Sequence, residues 1–277
     1  MSPVNTEVSS EKALSLFERR SSDVIRLVRS GPERVSVIIP TLNEAENIGW
    51  VLERLPAYVH EVVLVDGRST DDTVARAQAV RPDIKVVLET AKGKGAALRA
   101  GFAAATGDLV VMIDADCSME PTEIDRFVSL LACGYDFVKG SRFMAGGGSS
   151  DITHIRAWGN RVLTTAVNVL FDTRFSDLCY GYIGFHRRHL EALDLRSDGF
   201  EIETELILHA IAAGLRITEV PSHEAPRLHG ESNLRVLRDG PRVLRTLLTE
   251  RFTRKPGRDD LHTDADVDVT TYERVAS

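Results

Sequence analysis

The chain has 277 residues, 43% of them apolar and 27% charged, with 34 Lys and Arg against 41 Asp and Glu. At roughly 100–200 residues per domain this length suits one large domain or two small ones, with enough core to fold without disulfides or metal. The formal charge of −7 argues against a general nucleic-acid binder, and three cysteines (Cys117, Cys133, Cys179) with no C-x-x-C pair argue against a secreted disulfide scaffold.

Residues 1–10 are polar, and Glu11 to Ser30 carries clustered apolar residues beside Arg19, Arg20, Arg26 and Arg29. This predicts an amphipathic helical extension over 1–30 that packs on the body, with membrane contact as the alternative. The start, MSPVNTEVSSEK, lacks the basic-then-apolar order of a signal peptide. No segment approaches the roughly 18 consecutive apolar residues of a membrane span. Together these predict a cytoplasmic protein, with a peripheral position at the inner face of the membrane left open.

From Val35 the chain alternates. VSVIIP (35–40) and EVVLVD (61–66) are short, β-branched apolar runs typical of buried parallel strands, and DIKVVL (83–88) and DLVVMID (108–114) read as a third and a fourth strand. Helical stretches over 43–55, 71–80 and 94–105 separate them. The pattern predicts an α/β domain with a mostly parallel central sheet flanked by helices. Beyond it, helices are expected over 121–132, 155–171, 203–213 and 234–252, and strands over 135–139, 182–186 and 215–220. Gly146 to Ser150 reads as a flexible loop and Trp158 as core or helix packing. Residues 256–277 read as an acidic, disordered tail. The domain proper is placed at 31–255, with a first half to about 118 and a second half over 119–255.

Polar residues gather just after the strands, where open α/β sheets bind ligands. The sharpest group is Asp114-Ala115-Asp116. Two carboxylates at i and i+2 on a strand end can face one hard cation, Mg²⁺ or Mn²⁺; a solvated acidic pair is the alternative. Lys92-Gly93-Lys94-Gly95 allows close backbone approach and places lysines near phosphate, yet it lacks the G-x-x-x-x-G-K-[ST] pattern of a phosphate loop. No G-x-G-x-x-G follows the first strand, against a dinucleotide dehydrogenase.

The ordered blocks VSVIIPTLNEAENI, VVLVDGRSTDDT, KGKGAALRAGFAAATGD and MIDADCSMEPTEI resemble glycosyltransferase family 2. KGSRFMAGGG, IRAWGNR and EVPSHEAPRLHGESN extend the likeness to its dolichol- or polyprenyl-phosphate mannosyl/glucosyltransferase branch, over about residues 35–245. The resemblance implies a GT-A fold and a metal-dependent, inverting hexosyltransferase that uses a nucleotide-diphospho-sugar, GDP-mannose or UDP-glucose in type. It implies that Pro40, Thr41 and Glu44 line the base and ribose, that Asp66 holds their edge, and that Lys94 lies near the phosphates. Asp114, Ala115 and Asp116 would frame metal and diphosphate, with Arg227 and Ser232 closing over them. Arg142 and Arg156 would bind acceptor phosphate, with Asn160 one helical turn after Arg156. Arginine forks suit phosphate oxygens, although surface salt bridging is the other reading of both residues.

The chain departs from the family at Gly67, where a second Asp is usual, and at Ser118, where a Gln ligand is common in the lipid-phosphate branch. The C-terminal spans of many relatives are also missing. The expected partners are the sugar donor and a polyprenyl phosphate, with a membrane surface or a separate membrane protein left open. Rival readings are a transferase acting on a hydroxyl, with Glu201 or Glu203 as general base, a nucleotidyltransferase, and a non-catalytic sugar-nucleotide binder. Glu205 reads as favouring a helix N-terminus electrostatically. His154 and His223 read as structural, and His229 as a residue near the diphosphate. Charge is uneven: residues 226–255 hold eight Lys and Arg against three acids, whereas 256–277 hold two against six. The basic stretch faces either anionic lipid or the acidic body.

Overall fold

The computed structural model describes residues 33–230 and 236–253. The expected extension over 1–30, the tail over 256–277 and Ser232 lie outside the described residues. Seven strands form the central sheet: β1 (Val35–Thr41), β2 (Glu61–Asp66), β3 (Lys85–Leu88), β4 (Leu109–Met112), β5 (Phe137–Ser141), β7 (Ile183–His186) and β8 (Ile217–Pro221). Their order is β3-β2-β1-β4-β7-β5-β8. The first four run parallel, as does the β5–β8 pair, and β7 is antiparallel to both β4 and β5.

The apolar runs of β1, β2 and β4 are continuous because each of these strands feeds two cores, whereas the edge strand β3 has no buried residue. Val35, Val37 and Ile39 of β1 face one side, where α1 (Ile48–Arg54), α2 (Thr73–Val80) and α4 (Ile124–Ala132) pack. Ile38 of β1, with Val63 and Val65 of β2, faces the other side. There α3 (Lys94–Ala104), α5 (His154–Phe171), α7 (Ile202–Ala212) and α8 (Val236–Thr253) pack. Alternation of side chains along a strand produces this division. α3 approaches closely through Gly101, where a Cβ would collide with the methyls of Ile38 and Val65. The short α6 (Leu190–Leu193) leads into the segment before α7.

Two local expectations need correction. Residues 148–149 are not loop: Gly148–Ser149 is β6, a short parallel strand beside β9 (His223–Glu224). That pairing satisfies backbone groups that a free loop would leave to water. Trp158 is not core: it is 70% exposed on α5, beside exposed Ile155 and Val162. Element ends also shift. The first helix begins at Ile48 rather than Asn43, because Asn43 adopts φ 58° and its neighbours bond to the turn after β2. In that turn Thr70 N donates to Asn43 Oδ1 (2.8 Å), and Glu44 N donates to Thr73 Oγ1 (2.8 Å). No helix among the described residues is long and apolar enough to cross a membrane.

Candidate active site

The carboxyl ends of β1, β2 and β4 open into a crevice of about 1440 Å³. Pro40, Thr41, Glu44, Lys94, Asp114, Ala115, Asp116 and Arg227 all line it. The parallel strands therefore bring together residues up to 187 positions apart in the sequence. A smaller cavity of about 170 Å³ abuts it and shares Lys94, Asp114, Asp116, Phe200 and Arg227; Arg142, Arg156 and Asn160 line its far side.

Asp114 and Asp116 follow β4, where Cys117 takes φ 64° and turns the chain. Asp116 is 4% exposed; its Oδ1 accepts from Ser118 N at 3.0 Å and its Oδ2 pairs with Arg227 at 2.6 Å. Asp114 Oδ1 lies 2.5 Å from Lys94 Nζ, which also donates to Glu203 Oε1 at 2.7 Å. Burial works against the Lys94 ammonium, but Asp114 and Glu203 outweigh it and hold the group above the ordinary lysine range. The Asp114 carboxyl is raised, first by burial and further by the neighbouring charges of Asp116 and Glu203. Glu44 is raised as well, again chiefly by burial.

Glu44, Asp114, Asp116 and Glu203 thus meet the two cations Lys94 and Arg227 around one strand end. This set of hard oxygen donors, with an excess of negative charge, fits a divalent cation held by Asp114 and Asp116. Asp66 sits beneath the crevice wall, 3% exposed. Its Oδ2 accepts from Arg68 N and Ser69 N, both at 3.1 Å. Its Oδ1 is buried without a hydrogen-bond partner, an acceptor that a nucleoside N–H or O–H would satisfy.

Arg142 and Asn160 have settled structural work. Arg142 is 5% exposed; its Nε and Nη2 form a fork on Asp177 (2.8 and 3.1 Å), and its Nη1 reaches Glu224 at 3.1 Å. Its Nη2 also donates to the Cys179 carbonyl, and its guanidinium stacks 4.9 Å from the Tyr180 ring. Asn160 Oδ1 accepts from Leu178 N and Cys179 N, fixing the same loop to α5. Arg156 is held more loosely, at 3.3 Å from Asp151 and 4.0 Å from Glu224, with its side chain 25% exposed.

Sequence reasoning missed Asp177 and Glu224 as partners of Arg142, and Glu203 as the partner of Lys94. None carries a local signal, since Asp177 follows Ser176, Glu224 lies between His223 and Ala225, and Glu203 is one of three alternating acids. Glu205 stands in the first turn of α7 as expected, and it is also buried and accepts from Arg196 N and Ser197 N, which ties the segment before α7 to the helix. His154 and His223 are exposed, with His223 held in β9 beside Gly148 and its Nε2 3.5 Å from Ser150 Oγ, and His229 lies half-exposed, 3.8 Å from Glu46. Of the basic stretch, Arg242 and Arg245 of α8 line the large crevice.

The family model for glycosyl transferase family 2 matches residues 36–194. The chain belongs to glycosyl transferase family 2. Among relatives of this family 2 enzyme, glycosyltransferase AglJ of Haloferax volcanii is 34% identical over 81% of this chain and 74% of its own length. A dolichol-phosphate mannosyltransferase of Pyrococcus furiosus is 30% identical, over 73% of this chain and 59% of its own. An undecaprenyl-phosphate 4-deoxy-4-formamido-L-arabinose transferase of Pseudomonas fluorescens is 32% identical, over 74% and 61%.

Among solved structures, glucosyl-3-phosphoglycerate synthase of Mycobacterium tuberculosis with uridine diphosphate aligns with a TM-score of 0.66 at 26% identity. That alignment covers 82% of this chain and 83% of that one. The same synthase with Mn²⁺, UDP-glucose and glycerol 3-phosphate gives 0.65 at 25%, covering 84% and 90%. The family 2 domain therefore has the GT-A fold and is a glycosyltransferase.

Gly181 of this glycosyltransferase leaves room for the Lys94–Glu203 pair: a Cβ there would lie 2.5 Å from Glu203 Oε1 and 3.1 Å from Lys94 Nζ. Those atoms end flexible side chains, so Gly181→Ala is expected to fold normally while moving the ammonium off Asp114. A loss of about tenfold or more in kcat/KM with an unchanged melting temperature is the expected result. A variant with unchanged kinetics would show that the position of this pair does not matter.

Proposed function

We propose that this protein transfers a hexose from a nucleotide-diphospho-sugar, of the GDP-mannose or UDP-glucose type, to a polyprenyl phosphate with inversion at the anomeric carbon. The observation that carries this reading is Arg156, loosely held and partly exposed at the small cavity that abuts the carboxylate pair. A guanidinium so placed can exchange weak carboxylate contacts for the oxygens of a phosphate. Two relatives named as acting on dolichol phosphate and undecaprenyl phosphate support the same reading. Arg142 is assigned to positioning: held by Asp177 and Glu224, it presents the cavity wall and leaves the grip to Arg156.

The donor lies in the large crevice, its base or ribose against Asp66 and Glu44 and its diphosphate toward Arg227, Arg242 and Arg245. When Mg²⁺ or Mn²⁺ is bound by Asp114 and Asp116, it neutralises charge on the departing diphosphate. Lys94 stays protonated and adds positive charge beside Asp114, and Arg227 does so beside Asp116. An acceptor phosphate oxygen, already anionic, forms the bond to the anomeric carbon as the carbon–diphosphate bond breaks and the nucleoside diphosphate departs. No general base is required. The arginine fork aligns the oxygen for in-line attack.

The test is incubation with a panel of GDP- and UDP-sugars, Mg²⁺ or Mn²⁺ and polyprenyl phosphate, with the product identified by mass. Arg156→Ala is expected to raise KM for the lipid phosphate by about tenfold or more, the share of one charge-assisted contact of about 1.5–3 kcal/mol. Slow hydrolysis of the donor should be unchanged.

A second reading, transfer to a hydroxyl, is favoured by Glu201. Its Oε2 is buried without a hydrogen-bond partner in the wall of the large crevice, where it could accept a proton. Phosphoglycerate and neutral sugar alcohols in the same panel decide between them. If a hydroxyl acceptor is used as well as polyprenyl phosphate, and Glu201→Gln removes that activity, the lipid-phosphate reading falls.

A further inference from the structure

α5 carries apolar residues on two sides. Asn160, Thr164 and Val167 mark its buried side. Ile155, Trp158, Val162 and Val169 recur at helical spacing on the opposite side and point outward. Ile155 and Trp158 are 70% exposed, Val169 76% and Val162 47%. Single exposed apolar residues are ordinary, but four along one stripe of one helix make an uncovered face. α8 packs beside α5 and carries a second exposed stripe, Leu244, Leu248 and Phe252, each one turn after the last.

The stripe on α5 is edged by positive charge. The helix contains Arg156 and Arg161 and no acid, and Arg174 follows it closely. Arg161 and Arg174 are exposed, and their guanidinium groups pair with no acid among the described residues. The whole chain carries −7, so α5 is a basic apolar strip on a net acidic protein. An anionic surface attracts such a strip and repels the rest of the molecule, which fixes the orientation of approach. An exposed indole suits the same boundary, with its ring in apolar surroundings and its N–H wet. Arg156 stands on this helix next to Ile155. The small cavity it lines lies between α5, through Gly159 and Leu163, and α8, through Gly240 and Val243. If that cavity takes a polyprenyl phosphate, the hydrocarbon tail stays in the bilayer and Arg156 has to reach headgroup depth.

We propose that the outward face of α5, with α8 at its flank, docks on an anionic lipid bilayer. Ile155, Trp158, Val162 and Val169 enter the boundary between headgroups and acyl chains, to a depth of about 5–10 Å. Arg161 and Arg174 stay at the level of the lipid phosphates. The purpose of this docking rests on the polyprenyl-phosphate reading, because it brings Arg156 to the acceptor. The binding itself follows from the face alone.

The experiment is co-sedimentation of the full chain with vesicles of phosphatidylcholine, and of phosphatidylcholine mixed with phosphatidylglycerol. Wild type is expected to bind the mixed vesicles, to bind the neutral ones less, and to be released in part by salt. Ile155→Ser combined with Trp158→Ser should weaken partitioning by at least about 100-fold, about tenfold for each apolar side chain lost. Arg161→Gln should weaken it about fivefold, the share of one cation near the surface. Melting temperatures should match wild type, since these side chains are exposed; if the double variant does not fold, Val169→Asp decides. Transfer to polyprenyl phosphate in vesicles should fall with binding. Transfer to a short, water-soluble isoprenyl phosphate, and slow donor hydrolysis, should stay at wild-type rates. A chain that binds vesicles through this face yet glycosylates neither phosphate keeps the docking surface and loses the acceptor reading. Failure of wild type to bind, or unchanged binding by the folded variants, overturns the docking surface even where the soluble phosphate is glycosylated. A wild type that stays off vesicles and is a dimer, made monomeric by the double variant, overturns it too and assigns the face to a second copy.

Discussion

Asp116→Asn is expected to lower kcat for sugar transfer by at least about 10²-fold and to remove its dependence on Mg²⁺ or Mn²⁺. Removal of a single group that stabilises developing charge commonly costs about 10²–10³-fold. Asp116 is the more telling member of the pair because it is nearly buried and fixed on both oxygens, by Ser118 N and by Arg227. The amide is isosteric and keeps the bond from Ser118, so the turn at Cys117 should survive and circular dichroism should match wild type. What is lost is the negative charge that both a divalent ion and Arg227 require. The assay is initial rate against metal concentration at saturating donor. Retention of activity with an unchanged metal dependence would remove Asp116 from the metal site and leave its pairing with Arg227 as its purpose.

Arg142→Ala is expected to act on the fold before it acts on catalysis. The substitution leaves Asp177 and Glu224 buried without the guanidinium that now bonds both. Breaking a buried ion pair from one side costs about 3–5 kcal/mol. A fall of that size in the denaturant-extrapolated stability is the expected measurement.

The loss carries a pH signature. Burial by itself would raise the Asp177 carboxyl, but Lys139 and Arg142 outweigh it and hold it below its ordinary range. A lowered folded-state value means stabilisation that is complete above the unfolded value of about 3.9 and is lost as pH falls through the folded-state value. The difference between wild type and Arg142→Ala should therefore be largest near neutral pH and narrow below about pH 4. If Arg142→Ala instead keeps full stability and loses only acceptor affinity, the guanidinium binds phosphate directly.

Much of the donor half was legible from residues alone. The runs VSVIIP, EVVLVD and DLVVMID carry consecutive apolar residues because each strand is covered on both faces, as the two cores about β1, β2 and β4 bear out. That pattern is local, set by side chains that alternate every residue, so a sequence carries it openly. The polar residues after each run had to share one edge once the strands were parallel. Thr41, Asp114 and Asp116 do so around one crevice, with Asp66 just beneath its wall. The boundaries were less legible. The turn holding Asn43 to Thr70 and Glu44 to Thr73 replaces the first turn of an expected helix, and its bonds cross 27 and 29 residues.

The sequence by itself therefore determined the sheet half, its ligand edge and the paired carboxylates, because periodicity and strand ends are short-range properties. Only the tertiary structure decided what the charged residues do. Lys94 meets Glu203 across 109 residues, and Arg142 meets Glu224 across 82 and Asp177 across 35. Whether an arginine is free to hold phosphate or is consumed by buried carboxylates depends on partners no local pattern reveals. The same holds for Trp158, whose helix turns it outward, and for His209, which the packing of α8 on α7 brings to Glu250. Coulomb and desolvation energies act through space, and in a fold that crosses its own sheet repeatedly, neighbours in space are seldom neighbours in the chain.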